Sequence, residues 1–147
     1  MSYTQVYYHI IYSTKNRLPI LKEERRKKLY SYLWGILKNY KCRLYQMGGT
    51  DGRIHMLTSL HSTVCLANLV RDLKISSSKW VDQENVFPNF PGWQNEYGAF
   101  TKSHSHRDTV AAYIKNQIEH HKTESFIDEF KRLLREEGIE FDERYLR

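Results

Sequence analysis

The chain has 147 residues, 40% of them hydrophobic and 27% charged, with a formal net charge of +6 and a pI near 9.3. That size fits a single domain spanning 1–147, and this balance argues for a folded core and against disorder. Its cationic surplus favours a polyanionic partner, nucleic acid first, while no apolar run approaches the length of a membrane span, so a soluble, cytoplasmic protein without membrane contact is expected.

In chain order, Gln5 to Thr14 is rich in β-branched and aromatic residues on both faces and predicts a central strand. Lys15-Asn16-Arg17 breaks that run, and Pro19 marks a loop. From Lys22 to Tyr40 the residues Leu29, Leu33, Ile36, Leu37 and Tyr40 recur at helical spacing behind a charged first turn. A short strand, Cys42 to Met47, is closed by the turn-rich Gly48-Gly49-Thr50-Asp51-Gly52, and Arg53 to His61 alternates along a third strand. A second helix covers Leu66 to Val81, and a loop from Asn85 to Gly92 leads to a fourth strand at Tyr97 to Lys102. The pattern then predicts one continuous helix from about Arg107 to His121 and another from Phe126 to Glu137, stopped by Gly138.

The order β-α-β-β-α-β followed by two helices predicts an α+β fold. It is the ferredoxin-like, split βαβ antiparallel sheet with helices on it, plus C-terminal helices. Such a fold hosts many activities, so chemistry has to be read from particular residues. Cys42 and Cys65 have no metal-site spacing and read as reduced thiols. Tyr113 and Gln117 are four residues apart, which on a helix puts them on one face. By spacing alone, the plainer meaning is an amphipathic helix with Tyr113 in its core. Arg53, His55 and Leu57 share one side of the third strand, and a lone strand histidine is more often structural than catalytic.

Taken together these segments resemble a specific family. The run Gly49-Thr50-Asp51-Gly52-Arg53-Ile54-His55-Met56-Leu57 is similar to the His-hydrophobic-His strand of the HUH nucleases. The runs Phe90 to Phe100, Tyr113 to His121 and Gly138 to Leu146 resemble segments of insertion-sequence transposases of the single-strand, single-tyrosine type, REP-associated tyrosine transposases included. The opening strand and Ser76-Ser77-Ser78-Lys79-Trp80 fit the same pattern, so the resemblance covers essentially the whole chain.

That resemblance implies a transposase that cleaves and rejoins single-stranded DNA at hairpin-marked ends. Tyr113 would be the nucleophile, forming a 5′-phosphotyrosine, and His55 and Gln117 would hold Mg²⁺ or Mn²⁺ against the scissile phosphate. It also implies a homodimer with active sites shared between subunits. The chain departs from the pattern at Arg53, where the first metal-binding histidine belongs. Guanidinium has no lone pair to donate and stays protonated, so Arg53 cannot be a ligand.

Three outcomes are open at this point. Metal is held weakly by His55 and Gln117 with help from water or Asp51, and only remotely from His120 or His121; or Arg53 itself neutralises the phosphate; or catalysis is lost and a DNA hairpin-binding protein remains. Lys15, Arg17, Lys79 and Lys102 are candidate DNA-backbone contacts, against the plainer meaning of solvated surface charges. Trp34, Trp80 and Trp93 are candidate base-stacking faces, of which at most one is expected to serve. His104 and His106 read as loop residues, and Tyr7, Tyr8 and Tyr12 as sheet packing.

Overall fold

Alternation along two inner strands decides the architecture. The computed structural model describes residues 2–146, apart from the side chains of His120 and His121. Four strands, β1 (Tyr7–Ser13), β2 (Leu44–Gly49), β3 (Arg53–Ser59) and β4 (Gly98–Lys102), form one sheet in the order β2-β3-β1-β4. Every pairing is antiparallel, with Ile11 opposite His55 and Ser13 opposite Arg53. Two long helices, α1 (Glu23–Asn39) and α2 (Leu66–Glu84), follow β1 and β3, which is the expected split-βαβ connectivity. Three shorter helices close the chain: α3 (Arg107–Lys115), α4 (Gln117–Thr123) and α5 (Phe126–Glu136).

Because side chains point alternately up and down a strand, β1 and β3 each serve two different layers. On one face Ile10, Tyr12, Ile54 and Met56 pack against Leu29, Leu33 and Leu37 of α1 and Leu69, Val70, Leu73 and Val81 of α2. Trp93 closes that core, its indole N–H donating to Ser77 Oγ at 2.8 Å. The other face is covered by the C-terminal helices in two smaller apolar clusters. Tyr7 and Leu57 meet Ile114 of α3, while Ile11 and Phe100 meet Phe130, Leu133 and Leu134 of α5. The same strands also present His9, Arg53 and His55, all buried.

Two elements depart from expectation. The second strand begins later than Cys42, at Leu44, with an irregular register between Leu44 and Gln46, and extends to Gly49. A Cβ on Gly48 would lie 2.6 Å from the carbonyl oxygen of Ile114, so glycine there lets α3 lie close on the sheet. The expected continuous third helix is instead divided at Asn116, whose φ of −94° and ψ of 21° leave the helical region. Asn116 N–H still bonds the Ala112 carbonyl at 3.1 Å, and its own carbonyl accepts from Glu119 N–H at 3.1 Å. Asparagine favours such helix ends over helix interiors.

Candidate active site

The polar groups of the second face come from five elements and meet around one carboxylate, that of Glu129 on α5. Glu129 has no exposed surface. Its Oε1 lies 3.0 Å from His55 Nε2 and 3.4 Å from Arg53 Nη1. Its Oε2 accepts from Gln117 Nε2 at 3.0 Å and from the Tyr113 hydroxyl in a short hydrogen bond. Tyr113 and Gln117 therefore do share a site, although the helix breaks between them. His9 continues the chain of contacts, its Nε2 2.8 Å from His55 Nδ1 with the two rings stacked.

Outside this group, Arg132 of α5 donates to the Tyr113 oxygen from Nη2 at 2.7 Å. The same guanidinium grips both oxygens of Glu124, at 2.9 and 3.0 Å, in the fork geometry that fixes an arginine in place. Tyr113 is thus held between an acceptor and a cation.

The electrostatics follow from burial and pairing. Burial alone would raise the Glu129 pKa, but the His55 hydrogen bond and charge, with the Arg53 charge and the Tyr113 hydrogen bond, hold it well below the usual carboxylate range. Glu129 is therefore ionised. Tyr113 moves the other way, pushed up by burial and then by its bond to Glu129, with Arg132 opposing. His9 is depressed by burial and by the charges of His55 and Lys102, which keeps its ring neutral near pH 7.

Does this donor set fit the divalent ion that the resemblance implies? It does not. Arg53 stands where one ligand belongs and is 1% exposed. A hydrogen bond from His55 Nε2 to an ionised carboxylate requires the proton on that nitrogen, so its lone pair is unavailable. Two unit charges ~4 Å apart at an effective dielectric near 20 interact by roughly 4 kcal/mol, and a divalent ion beside Arg53 doubles the repulsion. Glu129 can offset a single charge and already faces Arg53. Gln117 Oε1, which has no hydrogen-bond partner among the described residues, is one neutral donor. No group of three or more His, Cys, Asp or Glu among the described residues is arranged to hold a metal. His120 and His121, named above as remote substitutes, lie outside the described side chains.

The family model described as IS200-like transposase matches residues 2–117. The chain belongs to that family. A putative transposase from Deinococcus radiodurans R1 superposes with a TM-score of 0.62 at 24% identity, over 79% of this chain and 93% of its own. A REP-associated tyrosine transposase bound to a REP hairpin superposes at 0.64 with 11% identity, over 82% of this chain and 72% of its own. At such identities the two structures establish a shared fold. No curated protein matches the sequence significantly.

The remaining candidate positions scatter. Lys15 and Arg17 lie in a 3-10 turn after β1, Lys15 exposed and Arg17 half-buried. Lys79 lines a groove on α2 together with Lys74, Trp93 and Tyr97, on another part of the molecule. Lys102 is engaged by Glu137, Nζ to Oε1 2.5 Å. Trp34 is 46% exposed with Lys38 Nζ 3.5 Å above its ring, Trp80 stacks on Tyr32, and Trp93 is core. Asp51 stays in the β2–β3 turn.

Sequence reasoning missed Glu129, Arg132 and His9. Glu129 did leave a signal: it falls in the apolar stripe of Phe126, Phe130, Leu133 and Leu134, where an unpaired charge would not be tolerated. No helix of the described residues is long and apolar enough to cross a membrane.

Proposed function

We propose that this transposase-family protein cuts and rejoins single-stranded DNA at hairpin-marked ends, with Tyr113 as the nucleophile. One observation carries the reading: the Tyr113 hydroxyl, Gln117 and His55, from three separate elements, converge on a single buried carboxylate. That hydroxyl is hydrogen-bonded to the Glu129 carboxylate and to the Arg132 guanidinium, which hold its oxygen in one position for attack.

In the reaction the bond from Tyr113 Oη to phosphorus forms as the bond from phosphorus to the 3′ oxygen breaks. The phenolic proton passes by way of Glu129 to water, and water in turn protonates the departing 3′ oxygen. The products are a 5′-phosphotyrosine and a free 3′-hydroxyl. A 3′-hydroxyl from another cut end reverses the step with a new partner, and Arg132 stabilises the phenolate as it leaves. A homodimer belongs to the same reading, since exchanging two ends calls for two nucleophiles. The REP hairpin bound by the REP-associated tyrosine transposase supports a hairpin substrate here.

The test is a covalent protein–DNA band on a denaturing gel, using single-stranded DNA from the flanks of the protein's own gene. The unmodified protein should form the band and Tyr113→Phe should not, while binding the same DNA equally well. An adduct formed by the Phe variant would mean another nucleophile. The second reading, a hairpin-binding protein without catalysis, is favoured by Arg53 standing at a ligand position. It predicts salt-sensitive binding, with no band from either protein.

A further inference from the structure

The β2–β3 turn, the Arg17 turn and the start of α5 enclose a cleft of about 410 Å³. Its lining includes Arg17, Thr50, Gly52, Arg53, Ser125 and Phe126, and Asp51 is its one acid. We propose that this cleft is a phosphodiester-binding site in which the Arg53 guanidinium takes the charge-neutralising place of a divalent ion. The inference rests on the strand-transfer reading for its substrate, but its own evidence is separate.

Arg53 is almost wholly buried, yet its Nε and Nη1 have no hydrogen-bond partner among the described residues. The contact from Nη1 to Glu129 is an ion pair at 3.4 Å, and Nη2 reaches the Glu124 carbonyl only at 3.5 Å. Buried donors left unpaired are costly, and guanidinium donors match the spacing of phosphate oxygens. Both nitrogens lie beneath the cleft surface, so a phosphodiester supplies those acceptors as the cleft opens onto them. The first residues of α5 also line the cleft, and the leading amides of a helix favour an anion.

The backbone is shaped to the same end. Asn16 and Arg17 both adopt positive φ, 56° and 57°, a region that residues with a Cβ rarely occupy. This turn is fastened by Thr14 Oγ1 donating to the Leu18 carbonyl at 2.7 Å and by Asn16 N–H donating to Gln94 Oε1 at 3.0 Å. It brings Arg17 to the cleft wall against Gly52, where a Cβ would lie 3.1 Å from the Arg17 carbonyl oxygen. Strain held in this way is characteristic of functional sites.

Arg53 and Tyr113 contact opposite oxygens of Glu129, so one carboxylate links the floor of the cleft to the nucleophile. As the Tyr113 Oη–phosphorus bond forms and the bond to the 3′ oxygen breaks, Arg53 carries the added charge. The proton of Tyr113 passes by way of Glu129 to water and water protonates the 3′ oxygen, with no divalent ion in the balance.

The experiment measures binding of a fluorescent single-stranded oligonucleotide from the gene's flanks to full-length Tyr113→Phe protein, in EDTA and in Mn²⁺. Affinity should agree within about twofold in the two conditions, and Arg17→Gln should weaken it about fivefold while lowering the salt slope by about one. Arg53→Lys, which keeps the charge and loses the fork, should weaken binding similarly in EDTA. Tenfold or greater tightening by Mn²⁺, no binding in EDTA, or an Arg17→Gln variant that binds normally would overturn the proposal. The unmodified protein separates the two readings. An adduct that needs Mn²⁺ sinks this inference and spares Tyr113, whereas metal-free binding without any adduct spares the phosphate site and sinks the nucleophile.

Discussion

The two faces of one sheet use the same strands for opposite purposes. Ile10, Tyr12, Ile54 and Met56 face α1 and α2 in a largely hydrocarbon core, whereas the interleaved His9, Arg53 and His55 face charged groups on the C-terminal helices. The first face depends on area removed from water, which is non-directional and forgiving of similar shapes. The second depends on hydrogen bonds and ion pairs, in which every member needs its partner. Apolar packing and polar pairing are thus assigned to alternate residues of the same two strands.

The largest expected effects come from breaking a partner on the polar face. Arg53→Ala leaves Glu129 as a buried, less compensated charge and should cost about 3–5 kcal/mol in urea unfolding. The double variant Arg53→Met/Glu129→Leu should recover little of that loss, because His55, Gln117 and Tyr113 then lose their shared acceptor. On the apolar face Leu33→Ala should cost about 2–5 kcal/mol through lost contacts and a cavity. Folded Leu33→Ala protein should still bind DNA normally. Equal loss of DNA binding from both faces would contradict the division of labour.

How much of this contrast was legible in the sequence depends on the range of each signal. The sheet was readable because strand alternation and helical stripes are local patterns. Tyr113, His55, Gln117 and Arg53, which the family motifs singled out, meet in space around Glu129. The break at Asn116 was not readable, since asparagine also occurs inside helices and its local hydrogen bonds decide the matter. Glu129 was half-visible as a charge in an apolar stripe, but its partners lie 12 to 76 residues away. For Arg132, two glutamates at helical or near-helical spacing suggest an ordinary surface network, and only the folded chain shows it on Tyr113.

A smaller effect should appear as pH dependence. The pKa of His9 is lower in the folded protein than in the unfolded chain, so the unfolded state binds more protons as pH falls below about 6.5. Glu129 is depressed as well, so its contribution is present above about pH 4.3 and is lost progressively below it. Both signs make stability fall with acidification, first through His9 and then through Glu129. The groups acting on His9 are His55, Lys102 and Glu129, and only the last favours its charged form. His9→Gln should flatten the urea-midpoint profile between about pH 4.5 and 6.5 while leaving the steeper acid limb. A profile unchanged by that substitution would remove His9 from the account.

The smallest effect belongs to Lys102, which distinguishes a charge near the polar face from a charge within it. Its ammonium pairs with Glu137 at 2.5 Å, but both side chains keep substantial exposure, 20% and 28%. Water and salt already screen such a pair, and ordering two long side chains opposes it. Lys102→Gln should therefore change stability by less than about 1 kcal/mol. Since Glu137 engages its ammonium, the same variant should leave the salt slope of DNA binding unaltered, in contrast to Arg17→Gln. A slope lowered by about one in Lys102→Gln would mean that the ion pair opens to meet a phosphate, placing the DNA path along β4 as well as the Arg17 cleft.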